Sequence, residues 1–272
     1  EPASRRAGGG DQAQCTMAGV PALVISHLTK SFGDKRAVDD LSLSVPAGSM
    51  FGLVGPNGAG KTTTLSMVTG LLRPDAGTVS VLGQDVWSDP VAAKSRLGVL
   101  PDGLRLYDRL SGRELIRYTG QLRGMRRRVV EERAEELLVA LGLAGDADLM
   151  VCDYSAGMTK KIGLACALVH APRLLILDEP FEAVDPVSGE GVRRILRGFV
   201  GSGGTVLLSS HVMELVETLC DRLAVVAGGQ VQAYGTLDEV RQGETLQERF
   251  LALVGAPEPE GEALAWLYSS PS

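Results

Sequence analysis

The chain has 272 residues, 44% hydrophobic but only 4% aromatic, so its core must rest on Leu, Val, Ala and Ile, which suits a parallel sheet covered by helices. A formal net charge of −6 argues against a nucleic-acid binder that works by neutralising phosphates. The longest apolar runs, around Leu174 to Leu177 and Leu223 to Ala227, are strand-sized and fall short of the about 18 residues that a membrane-spanning helix needs.

In chain order, residues 1–21 are rich in Gly, Ala, Gln and charge and carry no apolar run. They read as a leader or appended remnant outside the fold, with Met17 as a natural start. Ala22 to Ser26 and Leu41 to Val45 are β-formers around a turn signal at Gly33-Asp34-Lys35, which predicts a first hairpin-like layer. Phe32 stands just before that turn.

The apolar run Phe51 to Val54 then empties into Gly55-Pro56-Asn57-Gly58-Ala59-Gly60-Lys61-Thr62-Thr63, followed by a helix-like segment. This fits G-x-x-x-x-G-K-[ST], the phosphate-binding loop. Its glycines let the backbone N–H groups turn inward, and the helix start adds the positive end of a dipole. Lys61 would reach the β- and γ-phosphates, and Thr62 would offer its hydroxyl to Mg2+.

Thr78 to Leu82 and Leu97 to Leu100 read as further strands, the second closed by Pro101. Ser111-Gly112-Arg113-Glu114 has the capping-box pattern of a helix start, and Val129 to Leu141 keeps a second helical period closed by Gly142. Arg126-Arg127-Arg128 between them reads as a solvated surface. Tyr154-Ser155-Ala156-Gly157-Met158 precedes a helix over Thr159 to Val169, so small residues stand at another anion-receptive helix start.

Leu174 to Leu177 is a buried strand that ends in adjacent carboxylates, Asp178 and Glu179, where open α/β sheets bind ligands. Asp178 can hold Mg2+ through its water shell, and Glu179 can polarise an attacking water. A helix through Val192 to Val200 and a strand Thr205 to Ser209 follow, with His211 just beyond the strand end. Val212 to Leu219, Leu223 to Ala227 and Val231 to Tyr234 complete an alternation of helices and strands: an α/β fold with a mostly parallel sheet. Cys15, Cys152, Cys166 and Cys220 show no C-x-x-C spacing, so neither zinc nor a disulfide framework is expected. Pro257-Glu258-Pro259-Glu260-Gly261-Glu262 reads as a loose acidic linker.

Together these residues resemble the ATP-binding cassette of ABC transporters over about residues 22–242. Five motifs agree in order: the phosphate loop, a Q-loop region at Leu100-Pro101-Asp102, the signature at Tyr154 to Met158, the Walker B strand with Asp178 and Glu179, and the switch residue His211. Asp185 matches the D-loop aspartate, and Phe32 falls where such cassettes stack an aromatic on adenine. The resemblance implies a P-loop NTPase core with a mostly parallel sheet, an antiparallel β subdomain near the N-terminus and a helical subdomain, about 103–170, that carries the signature. A C-terminal helix and acidic tail would fill 243–272.

It further implies ATP and Mg2+ as cofactors, with Thr62, Asp178 and Asp102 toward the metal and Lys61, Glu179 and His211 in catalysis. The expected assembly is a head-to-tail homodimer in which one subunit's Ser155 and Gly157 close the other's phosphate loop. The expected partner is a separate membrane permease at the cytoplasmic face, with no nucleic acid. The sequence departs from the family pattern at Asp102, which replaces Gln, and in the signature at Ala156 and Met158. Those details and Asp178-Glu179-Pro180-Phe181 are similar to bacterial exporter cassettes for drugs, antibiotics and peptides. Alternatives are a soluble ABC ATPase acting on DNA or the ribosome, disfavoured by the single cassette with no long coiled coil, and a nucleotide-dependent regulatory module without turnover.

Overall fold

The computed structural model describes residues 20–103 and 105–255. The leader before residue 20 and the acidic linker after residue 255 lie outside the described residues.

Two sheets form the frame. The first is antiparallel, in the order β2-β1-β4-β5, from β1 (Leu23–Phe32), β2 (Lys35–Val45), β4 (Ala76–Val81) and β5 (Gln84–Asp85). The second runs β10-β9-β3-β8-β7-β6, from β3 (Met50–Val54), β6 (Leu97–Leu100), β7 (Leu174–Leu177), β8 (Thr205–Ser210), β9 (Arg222–Ala227) and β10 (Gln230–Thr236). All its neighbours pair in parallel except β9 and β10. The expected layout of a mostly parallel core sheet beside an antiparallel layer is thus present.

The central strands read as unbroken apolar runs because both of their faces are covered. Alternate residues serve opposite cores: Met50 and Val54 of β3 join one apolar cluster, Phe51 and Leu53 the other. Leu175 and Leu177 divide from Leu174 and Ile176 in the same way. One cluster lies between the two sheets with α1 (Lys61–Val68) and α2 (Pro90–Ser95). The other lies under α3 (Gly112–Leu122), α4 (Arg127–Ala140), α5 (Ala156–Leu168), α6 (Pro186–Gly201), α7 (Met213–Leu219), α8 (Leu237–Arg241) and α9 (Leu246–Val254).

The strands β1 and β2 are longer than their apolar runs suggest. Register shifts interrupt their pairing, and His27 and Asp40 both adopt φ of 51°, with His27 Nδ1 2.8 Å from Asp40 Oδ1. Such bulges break the alternation that marks a strand in sequence. The short helix α2 is an addition to the expected elements, capped by Asp89 and begun by Pro90.

Between β6 and β7 the chain builds a helical lobe from α3, α4 and α5. The Ser111–Glu114 capping box is formed in both directions, with N···O distances of 2.9 and 3.2 Å. Arg127 and Arg128 pair with Glu131 and Glu132 one turn on and stay exposed, as expected of a solvated run. Gly98 fixes the lobe to the sheet: a Cβ there would stand 2.2 Å from the carbonyl of Ala167, so only glycine lets α5 lie this close to β6.

Candidate functional site

The site is laid out by strand order. β3 lies between β8 and β9, and β8 separates it from β7, so the carboxyl ends of β3, β7 and β8 are neighbours. The chain crosses from one side of β3 to the other between β8 and β9, and open α/β sheets bind ligands at such a switch point. Gly55 to Thr63, Asp178-Glu179 and His211 leave from these three ends.

The loop after β3 curls because glycines permit it. Gly60 adopts φ of 101°, and a Cβ on it would stand 2.4 Å from the carbonyl of Ala37. Gly60 is also the N-cap of α1 and supplies no side-chain cap, so the helix meets the cleft with its backbone N–H groups forward. Lys61 is buried, 7% exposed, and its ammonium donates to the carbonyls of Gly55 at 2.6 Å and Pro56 at 3.2 Å. Desolvation holds its pKa below 10.5, partly offset by the negative charges of Glu179 and Asp178.

A cleft of about 300 Å3 is lined by the loop from Asn57 to Thr63 together with Phe32, Asp102 and Glu179. Phe32 is half-exposed at the end of β1, a flat apolar face beside the loop. Below it, Thr62, Asp102 and Asp178 share a small hollow of about 60 Å3. Their hard oxygen donors suit Mg2+. Among the described residues no cluster of three His, Cys, Asp or Glu side chains could hold a metal alone, so phosphate and water oxygens would have to complete its shell.

Asp178 is nearly buried and Glu179 follows it in a left-handed turn at φ of 47°. Ser209, fully buried on β8, connects them: its hydroxyl donates to Asp178 Oδ1 at 2.5 Å and accepts the Glu179 amide at 2.9 Å. His211 Nδ1 lies 3.0 Å from Glu179 Oε1. The strand ends thus bring a carboxylate and an imidazole together at the mouth of the phosphate loop, a pairing that could serve general-base chemistry.

Ser155, Gly157 and Asp185 are elsewhere. Ser155 caps α5, accepting the Met158 amide at 3.3 Å, so this helix begins three residues before the expected Thr159. Asp185 caps α6 by accepting the Ser188 amide at 2.9 Å, a bond that lowers its carboxyl pKa. These residues line a second cleft, of about 370 Å3, which shares no lining residue with the first. A larger hollow of about 730 Å3, between α4 and α6, is lined by apolar side chains such as Leu137, Ile195 and Phe199 and includes none of the residues above.

Two residues of the site escape the sequence reading. Ser209 carried one signal, a hydroxyl two positions before His211 on an otherwise apolar strand. Lys160 carried none, because a lysine within a helix pattern is ordinarily solvated. Its ammonium is instead tucked under the turn after β7, 3.2 Å from both Asp102 Oδ1 and the Glu179 carbonyl.

Comparison with known proteins agrees with this geometry. The sequence profile of the family described as ABC transporter matches residues 38–182, more than half of the chain. The daunorubicin/doxorubicin resistance ATP-binding protein DrrA of Streptomyces peucetius is 41% identical over 81% of this chain and 67% of its own length. The Nod factor export ATP-binding protein I of Sinorhizobium fredii is 42% identical over 77% of this chain and 61% of its own. The daunorubicin resistance ATP-binding protein DrrA3 of Streptomyces coeruleorubidus is 39% identical over 90% of this chain and 78% of its own. This chain thus spans between 61 and 78% of these relatives. A solved structure titled as the ATP binding subunit of an ABC transporter superposes with a TM-score of 0.80 at 29% identity, covering 85% of this chain and 99% of that one. The chain therefore belongs to the ABC transporter family, as an ATP-binding subunit that hydrolyses ATP.

Proposed function

We propose that this subunit powers an exporter whose permease is a separate chain, and that it works as a head-to-tail dimer with Mg2+ and ATP in two shared sites. The observation that carries this reading is the division between clefts: Lys61, Glu179 and Asp102 line one, Ser155, Gly157 and Asp185 the other. A second copy, turned about a twofold axis, supplies each phosphate loop with the helix start of α5. Residues 22–242 form the ATP-binding domain, with 103–170 as its helical lobe.

Within the first cleft, the backbone N–H groups of Gly55 to Thr63 hold phosphate oxygens, Lys61 bridges the β- and γ-phosphates, and Phe32 offers its face to adenine. Thr62, Asp178 and Asp102 hold Mg2+, which when bound neutralises charge on the phosphates. Glu179 orients and polarises the attacking water, and His211 steadies its carboxylate and faces the γ-phosphate. Phosphoryl transfer needs alignment and charge stabilisation more than covalent chemistry, and these groups supply both.

The names of relatives, daunorubicin resistance and Nod factor export, support an export direction. No described helix is long and apolar enough to cross a membrane. In this reading the subunit attaches to the cytoplasmic face through the permease, as the exporter relatives suggest, with the surface from Asp102 to Leu115 as the contact. That surface presents Tyr107, 60% exposed and packed edge to face on Tyr118.

The test is Glu179→Gln. With Mg2+ and ATP it should elute as a dimer and lose turnover by about 100-fold or more, as expected for removal of a general base. A variant that stays monomeric with ATP sinks the shared-site arrangement, and one that hydrolyses at the wild-type rate removes Glu179 from its role.

A further inference from the structure

Lys160 lies on the first turns of α5, two residues past the signature, yet its side chain does not follow the helix into solvent. It is only 13% exposed, and its ammonium gathers three oxygens: Asp102 Oδ1 at 3.2 Å, the Glu179 carbonyl at 3.2 Å and Glu182 Oε2 at 4.0 Å. One cation therefore joins the helical lobe, the turn that carries Glu179 and the segment that follows β6. Asp102 is the member of this group that faces two ways, because it also lines the hollow it shares with Thr62 and Asp178.

A carboxylate has room for one strong cationic partner on a given oxygen. Asp102 can serve the Lys160 ammonium or a divalent cation in the hollow, and both at once only at reduced strength, since the two positive charges repel across a short distance. The carbonyl of Glu179 is under no such conflict and can keep Lys160 in either state.

We infer that Lys160 is a positioning residue that holds Asp102 in reserve and competes with Mg2+ for its carboxylate. Arrival of the metal with nucleotide draws Asp102 away, so that α5 loosens from the segment after β6 while it stays bound to the Glu179 turn. Metal binding is thereby linked to movement of the helix whose start forms the signature, by mass action rather than by a separate switch. The inference rests on the ATP-site reading above.

Binding of a fluorescent ATP analogue, titrated with Mg2+, tests it without turnover. In Lys160→Gln and in Lys160→Met, two neutral replacements that guard against one of them folding poorly, the Mg2+ concentration for half-maximal binding should fall by about 1.5- to 5-fold, the range for a partly exposed ion pair. Binding of the analogue without metal should stay as in the wild type, and Lys160→Arg, which keeps the cation, should keep the wild-type midpoint. In an Asp102→Asn background the Lys160 replacements should no longer move the midpoint. A midpoint unchanged by either neutral replacement overturns the inference. So does a shift that persists with Asp102→Asn, since it would then reflect the general field of Asp178, Glu179 and Glu182. If the wild type binds no analogue at all, the ATP-site reading fails and takes the inference with it.

Discussion

The hydroxyl of Ser209 donates to Asp178 Oδ1 at 2.5 Å while it accepts the amide of Glu179 at 2.9 Å. One buried side chain thus sets the direction of the Asp178 carboxylate, proposed above as a Mg2+ ligand, and ties down the left-handed turn at Glu179. Left-handed backbone costs a non-glycine residue about 1–2 kcal/mol, so the Glu179 turn needs such an external tie. Ser209→Ala leaves an amide and a carboxylate oxygen short of partners in a dry place. It should lower unfolding stability by about 1–3 kcal/mol, read by denaturant titration, and cut the ATPase kcat by at least about tenfold. Equal kcat would mean that the Glu179 turn holds itself.

The frame was legible in the sequence, and the reason is physical. Leu174 to Leu177 and Leu207 to Leu208 are apolar on every residue because both sheet faces are covered, and a loop such as Gly55 to Thr63 tolerates few other residues. The polar tie of Ser209 and the bridge of Lys160 were not legible, since each depends on which strand or turn lies opposite. Strand order fixes that, and no local pattern records it. Likewise β1 and β2 were read too short, because the left-handed residues His27 and Asp40 break the alternation while the pairing continues past them.

Lys61 gives a pH signature with two opposite signs. Desolvation lowers its folded pKa below 10.5, so between the two values the unfolded chain binds more protons and stability without nucleotide rises with pH. Nucleotide affinity falls over the same window, because the phosphates need the ammonium. The difference between wild type and Lys61→Met, followed by thermal melts and by nucleotide binding from neutral pH to about 10, should show both trends; parallel trends would contradict the assignment.

Gly58 and Gly60 separate strain from clash. Both have positive φ, 80° and 101°, but a Cβ at Gly58 meets open space whereas one at Gly60 stands 2.4 Å from the Ala37 carbonyl. Gly58→Ala should cost about 1–2 kcal/mol from backbone alone. Gly60→Ala should cost more than that and should also weaken nucleotide binding, because relief of the clash moves the first turn of α1. Equal denaturation midpoints would show that the loop moves freely against β2.

The shared-site arrangement makes a prediction that no single subunit can satisfy. Lys61→Ala disables the phosphate loop but leaves that chain's signature intact, and Ser155→Arg blocks the signature cleft but leaves the loop intact. Each variant alone forms dimers with two defective sites. Mixed in equal amounts, random pairing makes half of the dimers mixed, and each mixed dimer holds one doubly defective site and one with a sound loop facing a sound signature. About a quarter of all sites are then complete, so the mixture should recover up to about a quarter of the wild-type ATPase rate if a single sound site turns over alone. A dimer that requires both sites shows no recovery of steady turnover, yet the mixture still binds one nucleotide per mixed dimer in an occluded form, countable by rapid filtration. Absence of both recovery and occlusion would place the whole site within one chain, and Ser155 with Gly157 would lose their proposed function.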